Sequence, residues 1–314
     1  MLNTKHLAAF ALLVACDTAE TSSTADVTTT PDTVAIQPLD LRVTPPEPEP
    51  DKYVDLVSPE VVIPPGEERM YCWFVRNDQG DLAIRNVEAT QGKYGHHVVI
   101  LRALKEEPDG TFRDCTDSAE MANFRAFALP DTELPDGHAI KIPDKMQYVF
   151  QLHYVNADTK PIQVRDVARL AKVDPAKVTR WVTTLTTNSL NFKVPPGAAP
   201  QTLEFDCDIT EDMDVLVLGG HMHEWGTTFE VTELPPAGED RSLYYVDPWK
   251  VEYRDAPPVS LFFTKPLKLV KGTKLRTSCT WLNDGEGDLA FPSEMCSTFG
   301  YVAGPTAPVH CEAP

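Results

Sequence analysis

The chain has 314 residues, of which 42% are hydrophobic and 24% charged, and a formal net charge of -19. That composition supports one large or two mid-sized cores, and two domains are expected. The negative balance excludes nucleic acid and electrostatic docking on anionic lipid, because either would be repelled, so the expected partners are small or neutral molecules.

The first element in chain order is a processing signal. Lys5 and His6 precede the apolar run 7–15, which ends at Cys16 and is too short to cross a bilayer. The tetrad Leu13-Val14-Ala15-Cys16 resembles a bacterial lipobox. It implies a signal peptide over residues 1–15, lipidation of Cys16, and an exported lipoprotein anchored on the periplasmic or cell-surface side of a membrane. Residues 16–51 are dominated by Thr, Pro, Asp and Glu, with Arg42 the one basic residue between 17 and 50. They are expected to form a disordered acidic tether, since they hold too little apolar surface to offset chain entropy.

From Asp51 onward short runs rich in Val, Ile, Leu, Phe and Tyr alternate with Pro, Gly and Asp, as in "HHVVILRAL", "MQYVFQLHYV" and "VLVLGG". The best helical periodicity covers about 166–181, and Pro175 interrupts it. The pattern predicts an all-β chain of two tandem antiparallel β-sandwich, jelly-roll-like domains, over 52–174 and 175–314. "PPG" at 64–66 and again at 195–197, each time shortly before a Cys-bearing segment, hints that the second half repeats the first.

Six cysteines remain besides Cys16, and an even set in an exported chain reads as three disulfides. Pairing within domains joins Cys72 to Cys115 and leaves three connectivities open among Cys207, Cys279, Cys296 and Cys311. None stands in a CxxC arrangement, so zinc-ribbon and thioredoxin-like readings lack support.

Five of the eight histidines fall in three tight contexts: His96 and His97 in "YGHHVVI", His153 in "FQLHYVN", and His221 and His223 in "GGHMHEWG". Neutral imidazole is the commonest metal ligand, and the clustering points to metal. On a strand, residues i and i+2 face one way, so His221 and His223 form a chelating pair, with Gly219 and Gly220 allowing close approach. Adjacent His96 and His97 face opposite ways on a regular strand. They can share an ion only at a strand end or a bulge, which Gly95 permits, and His153 then supplies a third nitrogen. In the second half Met295 of "SEMC" offers a thioether, a soft donor that selects Cu(I).

The order HH, LHY, HxH, EMC in an exported, β-rich chain resembles the copper type II, ascorbate-dependent monooxygenases, the family of peptidylglycine α-hydroxylating monooxygenase and dopamine β-hydroxylase. The match spans about residues 60–311. The resemblance implies two copper ions per chain: an electron-transferring one on His96, His97 and His153, and a catalytic, O2-activating one on His221, His223 and Met295, facing it across a cleft. It implies hydroxylation of a C–H bond in a small organic or peptidic substrate, with O2 and ascorbate or another one-electron reductant as co-substrates. It also implies the disulfides Cys72–Cys115, Cys279–Cys296 and Cys207–Cys311.

Departures bear on the substrate. Where the peptide-amidating member grips a terminal carboxylate with an Arg before HxH and a Tyr after the Met, this chain has Gly219 and Phe299. A peptide carboxylate finds no charge partner there, and substrate identity does not carry over. The middle residue of HxH is Met222, and the acidic loop between Cys279 and Met295 is shorter than in the animal enzymes. Glu224 and Tyr154 stand beside ligands and are expected to support them or to lie at the surface. His138 and His310 are expected to be structural or exposed, and Trp225 to line the cleft or pack. No GxSxG, Walker-type or GxGxxG pattern supports hydrolase, nucleotide or dinucleotide functions. Two other readings use the same features: a non-catalytic copper-binding or copper-delivery lipoprotein, and a disulfide-braced adhesion sandwich without metal.

Overall fold

The computed structural model describes residues 36–129, 132–291 and 293–313, so the expected signal peptide and the lipidation of Cys16 lie outside the described residues. Among these the chain forms 22 strands and three short 3-10 turns, with no α-helix. The short β-branched and aromatic runs thus become strands, as their composition predicts. The weak helical pattern near 166–181 resolves into the strand Val167–Lys172 and the 3-10 turn Pro175–Lys177. That turn is capped by the Asp174 side chain, which accepts from the Ala176 N–H at 3.0 Å.

Four sheets carry the fold. A five-stranded sheet in the first half is ordered Phe112–Asp114, Glu68–Arg76, Gln147–Val155, Gly95–Ala103, Phe124–Ala128. A four-stranded sheet in the second is ordered Gln201–Asp208, Lys274–Trp281, Gly226–Leu234, Arg241–Val246. Both pack on one ten-stranded sheet that runs through the two halves. The crossing is a parallel pairing of Arg180–Val182 with His138–Ile140. From Gln37 onward the chain is one compact unit. The first core joins Ile100 and Phe150 to Ile84 and Leu170, and also takes in Val217 and Tyr301 from beyond residue 175. The two expected sandwiches therefore share a sheet and part of a core.

The strand Gln147–Val155 is buried at eight of its nine residues, because layers cover both of its faces. Tyr148 and Phe150 point into the first core, whereas Val149 on the opposite face packs with Cys72, Cys115 and Phe124. His153 shares the parity of Val149 and so emerges on the second face. Three disulfides form, Cys72–Cys115, Cys207–Cys311 and Cys279–Cys296. They select one of the three connectivities left open in the second half, the one the resemblance implies.

The expected tether is corrected over its last part. Leu39–Asp40 pairs in parallel with Ile162–Gln163, and the N–H groups of Leu39, Leu41 and Val43 donate to the carbonyls of Pro161, Gln163 and Arg165 at 2.8–2.9 Å. Leu39 and Leu41 pack beside Ile63 and Tyr154. Arg42 bridges Asp40 and Glu60 at 2.7 and 3.0 Å. The apolar alternation at 39, 41 and 43 is a strand signal that average composition conceals.

Candidate metal centre

The first three histidines meet because a ladder slips. Strand Gly95–Ala103 pairs with Gln147–Val155 so that His97 stands opposite His153 and Gly95 opposite Tyr154. His96 is thereby left as the extra residue of a bulge. The expected bulge forms where Gly95 permits it: a Cβ there would stand 2.7 Å from Gln91 Cβ, and Tyr94 before it adopts φ 71°. Ring centroids are 5.0 Å apart for His96 and His97, 4.6 Å for His96 and His153, and 4.8 Å for His97 and His153. One nitrogen from each ring lies within 4.8 Å of the other two. Tyr154 braces the turn from behind. Its hydroxyl accepts from the Gly92 N–H at 3.3 Å and donates to the buried Asp166, so it is a buried supporting residue.

The nitrogens themselves are sorted by their neighbours. His153 Nε2 is 2.8 Å from Glu68 Oε1, while its Nδ1 is buried without a hydrogen-bond partner. His96 and His97 approach through Nδ1 atoms 2.8 Å apart, and His96 Nε2 lies 3.5 Å from Asp255 Oδ1. Burial pushes the His96 imidazole down to about 3, aided by His153 and His223, and pushes His97 well below its ordinary value. Both are neutral at pH 7, the form that binds metal. Glu68 is held below the usual carboxylate range, chiefly by its bond to His153. A histidine that gives one nitrogen to a carboxylate and keeps the other free is the usual arrangement of a metal-bound imidazole.

His221 and His223 come together by another route than the one expected. Strand Met213–His221 ends at His221, so His223 lies in the turn beyond it and strand alternation does not align the pair. Their rings are nevertheless 5.1 Å apart. His223 is fixed by its surroundings: its N–H donates to Glu294 Oε1, its carbonyl accepts from Trp249 Nε1 at 3.1 Å, and its Nδ1 donates to the Ser293 carbonyl at 3.1 Å. Its Nε2 is buried with no partner. Burial lowers the pKa of His223 and takes His221 well below its ordinary value. The two glycines before them admit rings: a Cβ on Gly219 would meet Phe299 at 2.6 Å, and one on Gly220 would meet Phe229 at 2.2 Å.

Met295 lies between Glu294 and the disulfide residue Cys296. It lines the same cavity of about 620 Å³ as His97 and His221. Val99, Leu101, Leu190, Val259 and Phe299 supply apolar wall to that cavity, and Phe299 fills the space that a side chain at 219 would take. His310, expected to be structural or exposed, is also on the wall, 3.0 Å from Thr186 Oγ1. His138 is remote, in the strand paired with Arg180.

The two trios do not stand apart. His96, which touches His153, also lies 5.5 Å from His223 by ring centroid, making the five imidazoles contiguous. An ion-pair chain crosses the same place, Arg254 reaching Asp255 at 3.0 Å and Glu224 at 3.6 Å. Glu224 is thus an exposed, ion-paired support, and Trp225 packs on the second core while its N–H donates to Glu294 Oε2 at 3.3 Å. Sequence reasoning missed Glu68, Asp255, Trp249 and Glu294.

No family model matches the chain, and no curated protein matches it. Solved structures that resemble it include that of the infectious bursal disease virus Gx strain, at 8% identity and a TM-score of 0.24. The VP2 subviral particle of infectious bursal disease virus resembles it at 9% identity and a TM-score of 0.23. Each likeness covers 83% of this chain and 74% of the other, and at such scores it carries no argument about fold or function.

Proposed function

We propose that the protein is a copper-dependent monooxygenase of the copper type II, ascorbate-dependent kind, hydroxylating a C–H bond of a small organic or peptidic substrate. The observation that carries this reading is the pair of orphaned nitrogens. His153 Nδ1 and His223 Nε2 are buried without partners, each in a ring whose other nitrogen is engaged, and each beside further neutral imidazoles. A buried polar atom left unpaired is costly, and an ion at each place removes that cost. Imidazole with thioether is a donor set suited to copper, so the residues present fit the metal. His96, His97 and His153 would hold one ion, and His221, His223 and Met295 the other. Bound copper would supply one-electron transfer and O2 activation.

The chain's own contribution is orientation of the ligands and an apolar wall beside them. Glu68 and the Ser293 carbonyl fix which nitrogen of His153 and His223 is presented. The apolar wall formed by Val99, Val259 and Phe299 receives the carbon skeleton of the substrate beside Met295. A copper carrier with the same ligands has no need of such a chamber. The three disulfides suit an oxidising compartment, in keeping with an exported lipoprotein.

The test is copper loading followed by reductant-dependent O2 uptake with isotopically labelled O2 and mixtures of neutral organic and peptidic substrates. The expected result is a product heavier by one labelled oxygen atom. Copper uptake with no O2 consumption across the panel supports delivery instead, and absence of copper binding removes both readings.

A further inference from the structure

Glu294 belongs to neither trio and is wholly buried. Its carboxylate accepts main-chain N–H groups from both ligand-bearing segments of the second site. Oε1 takes those of His223 and Met295, the latter at 2.9 Å, and Oε2 takes that of Trp225 at 3.3 Å. One oxygen atom is therefore shared by the backbones of two candidate ligands remote from each other in sequence. A buried carboxylate is expensive unless several donors surround it. Here the donors are the backbone amides on which the site's geometry depends. The neighbouring Ser293 carbonyl meets His223 Nδ1, and Trp249 meets the His223 carbonyl, so Nε2 is the polar atom of His223 left free.

We infer that Glu294 is the positioning residue of the second metal site, its carboxylate fixing the separation of His223 and Met295 so that imidazole and thioether converge on one ion. This rests on the copper reading above. Strand alternation does not set the placement of His223, which lies past the end of its strand, and the carboxylate replaces that constraint. The Cys279–Cys296 disulfide anchors the chain on the other side of Met295. Both carboxyl oxygens act as acceptors here, whereas a glutamine of the same shape presents one acceptor oxygen with an amide group that opposes the remaining N–H.

The experiment compares wild type, Glu294→Gln, Glu294→Asp and Met295→Ile in the full chain, loaded with Cu(I). Copper X-ray absorption reads the sulfur neighbour, chelator competition reads the affinity of each equivalent, and thermal melting reads the fold. Wild type is expected to show a sulfur neighbour that Met295→Ile lacks. Glu294→Gln is expected to weaken one equivalent by about 10–100-fold and to lose or blur the sulfur shell, with the other equivalent unchanged. Glu294→Asp keeps both acceptor oxygens but withdraws them by one methylene, so it should do the same even if the glutamine variant fails to fold. The inference is overturned if either variant keeps wild-type affinity and sulfur shell, or if both equivalents weaken together in step with the melting temperature. A wild type that binds copper without sulfur overturns it along with the role of Met295, and a wild type that binds no copper removes the whole metal reading.

Discussion

The imidazole of His96 stands 4.6 Å from that of His153 and 5.5 Å from that of His223, so one side chain faces both groups of candidate ligands. On the proposed copper reading, replacing His96 by Ala should remove one copper per chain and also shift the Cu(II) paramagnetic resonance spectrum of the ion that remains. His97→Ala, whose ring contacts are His96 and His153, should cause the same loss with a smaller shift. Identical spectra in the two variants would show that His96 does not influence the second group.

Glu68 is about half-exposed, at 47% for its side chain, yet it pairs with a His153 side chain exposed by only 4%. Glu68→Gln removes the anionic acceptor that selects the His153 tautomer. Copper affinity at the first site should fall by about 10–100-fold, with little change in melting temperature because about half of the Glu68 side chain stands in solvent. Chelator competition reads the first effect and calorimetry the second. An unchanged affinity would mean that His153 is oriented by packing alone.

Gly220→Ala sets a methyl group 2.2 Å from Phe229, a ring with 0% exposure. Such overpacking costs about 1–3 kcal/mol, and chemical denaturation should show a loss of that order. Adding Phe229→Leu should recover part of it. A wild-type midpoint for the single variant would mean that the strand end yields freely.

Asp166 is 0% exposed, and burial pushes its carboxyl from 3.8 up to about 6, against the pull of the Tyr154 and Gln91 hydrogen bonds. The folded state then binds more protons than the unfolded one between about pH 4 and 6, so stability falls as pH rises through that window and levels off above it. The span corresponds to about 3 kcal/mol. Asp166→Asn should flatten this component. Urea unfolding at several pH values decides it, and equal slopes in the two proteins would refute the assignment.

Much of this was legible in the residues. The opposed directions of adjacent His96 and His97 on a regular strand called for a strand end or a bulge, which Gly95 permits, and the bulge is what forms. The cysteine count pointed to three bridges and pairing within domains to Cys72–Cys115, although the partners among the other four needed the resemblance. The supporting carboxylates were not legible, because Glu68 reaches His153 only through the register that sets Met70 opposite it, and register between remote strands leaves no local mark. The HxH spacing suggested one strand, whereas the strand stops at its first histidine and tertiary contacts orient the second. The docking of residues 39–43 was masked by the acidic, proline-rich composition around them.

The parallel seam between Arg180–Val182 and His138–Ile140 has a mechanical consequence. Prying one half from the other would mean peeling main-chain hydrogen bonds out of the middle of a sheet, so the two halves cannot move as lobes on a freely swinging hinge. For the same reason, a fragment comprising either half alone would carry a raw strand edge and should self-associate.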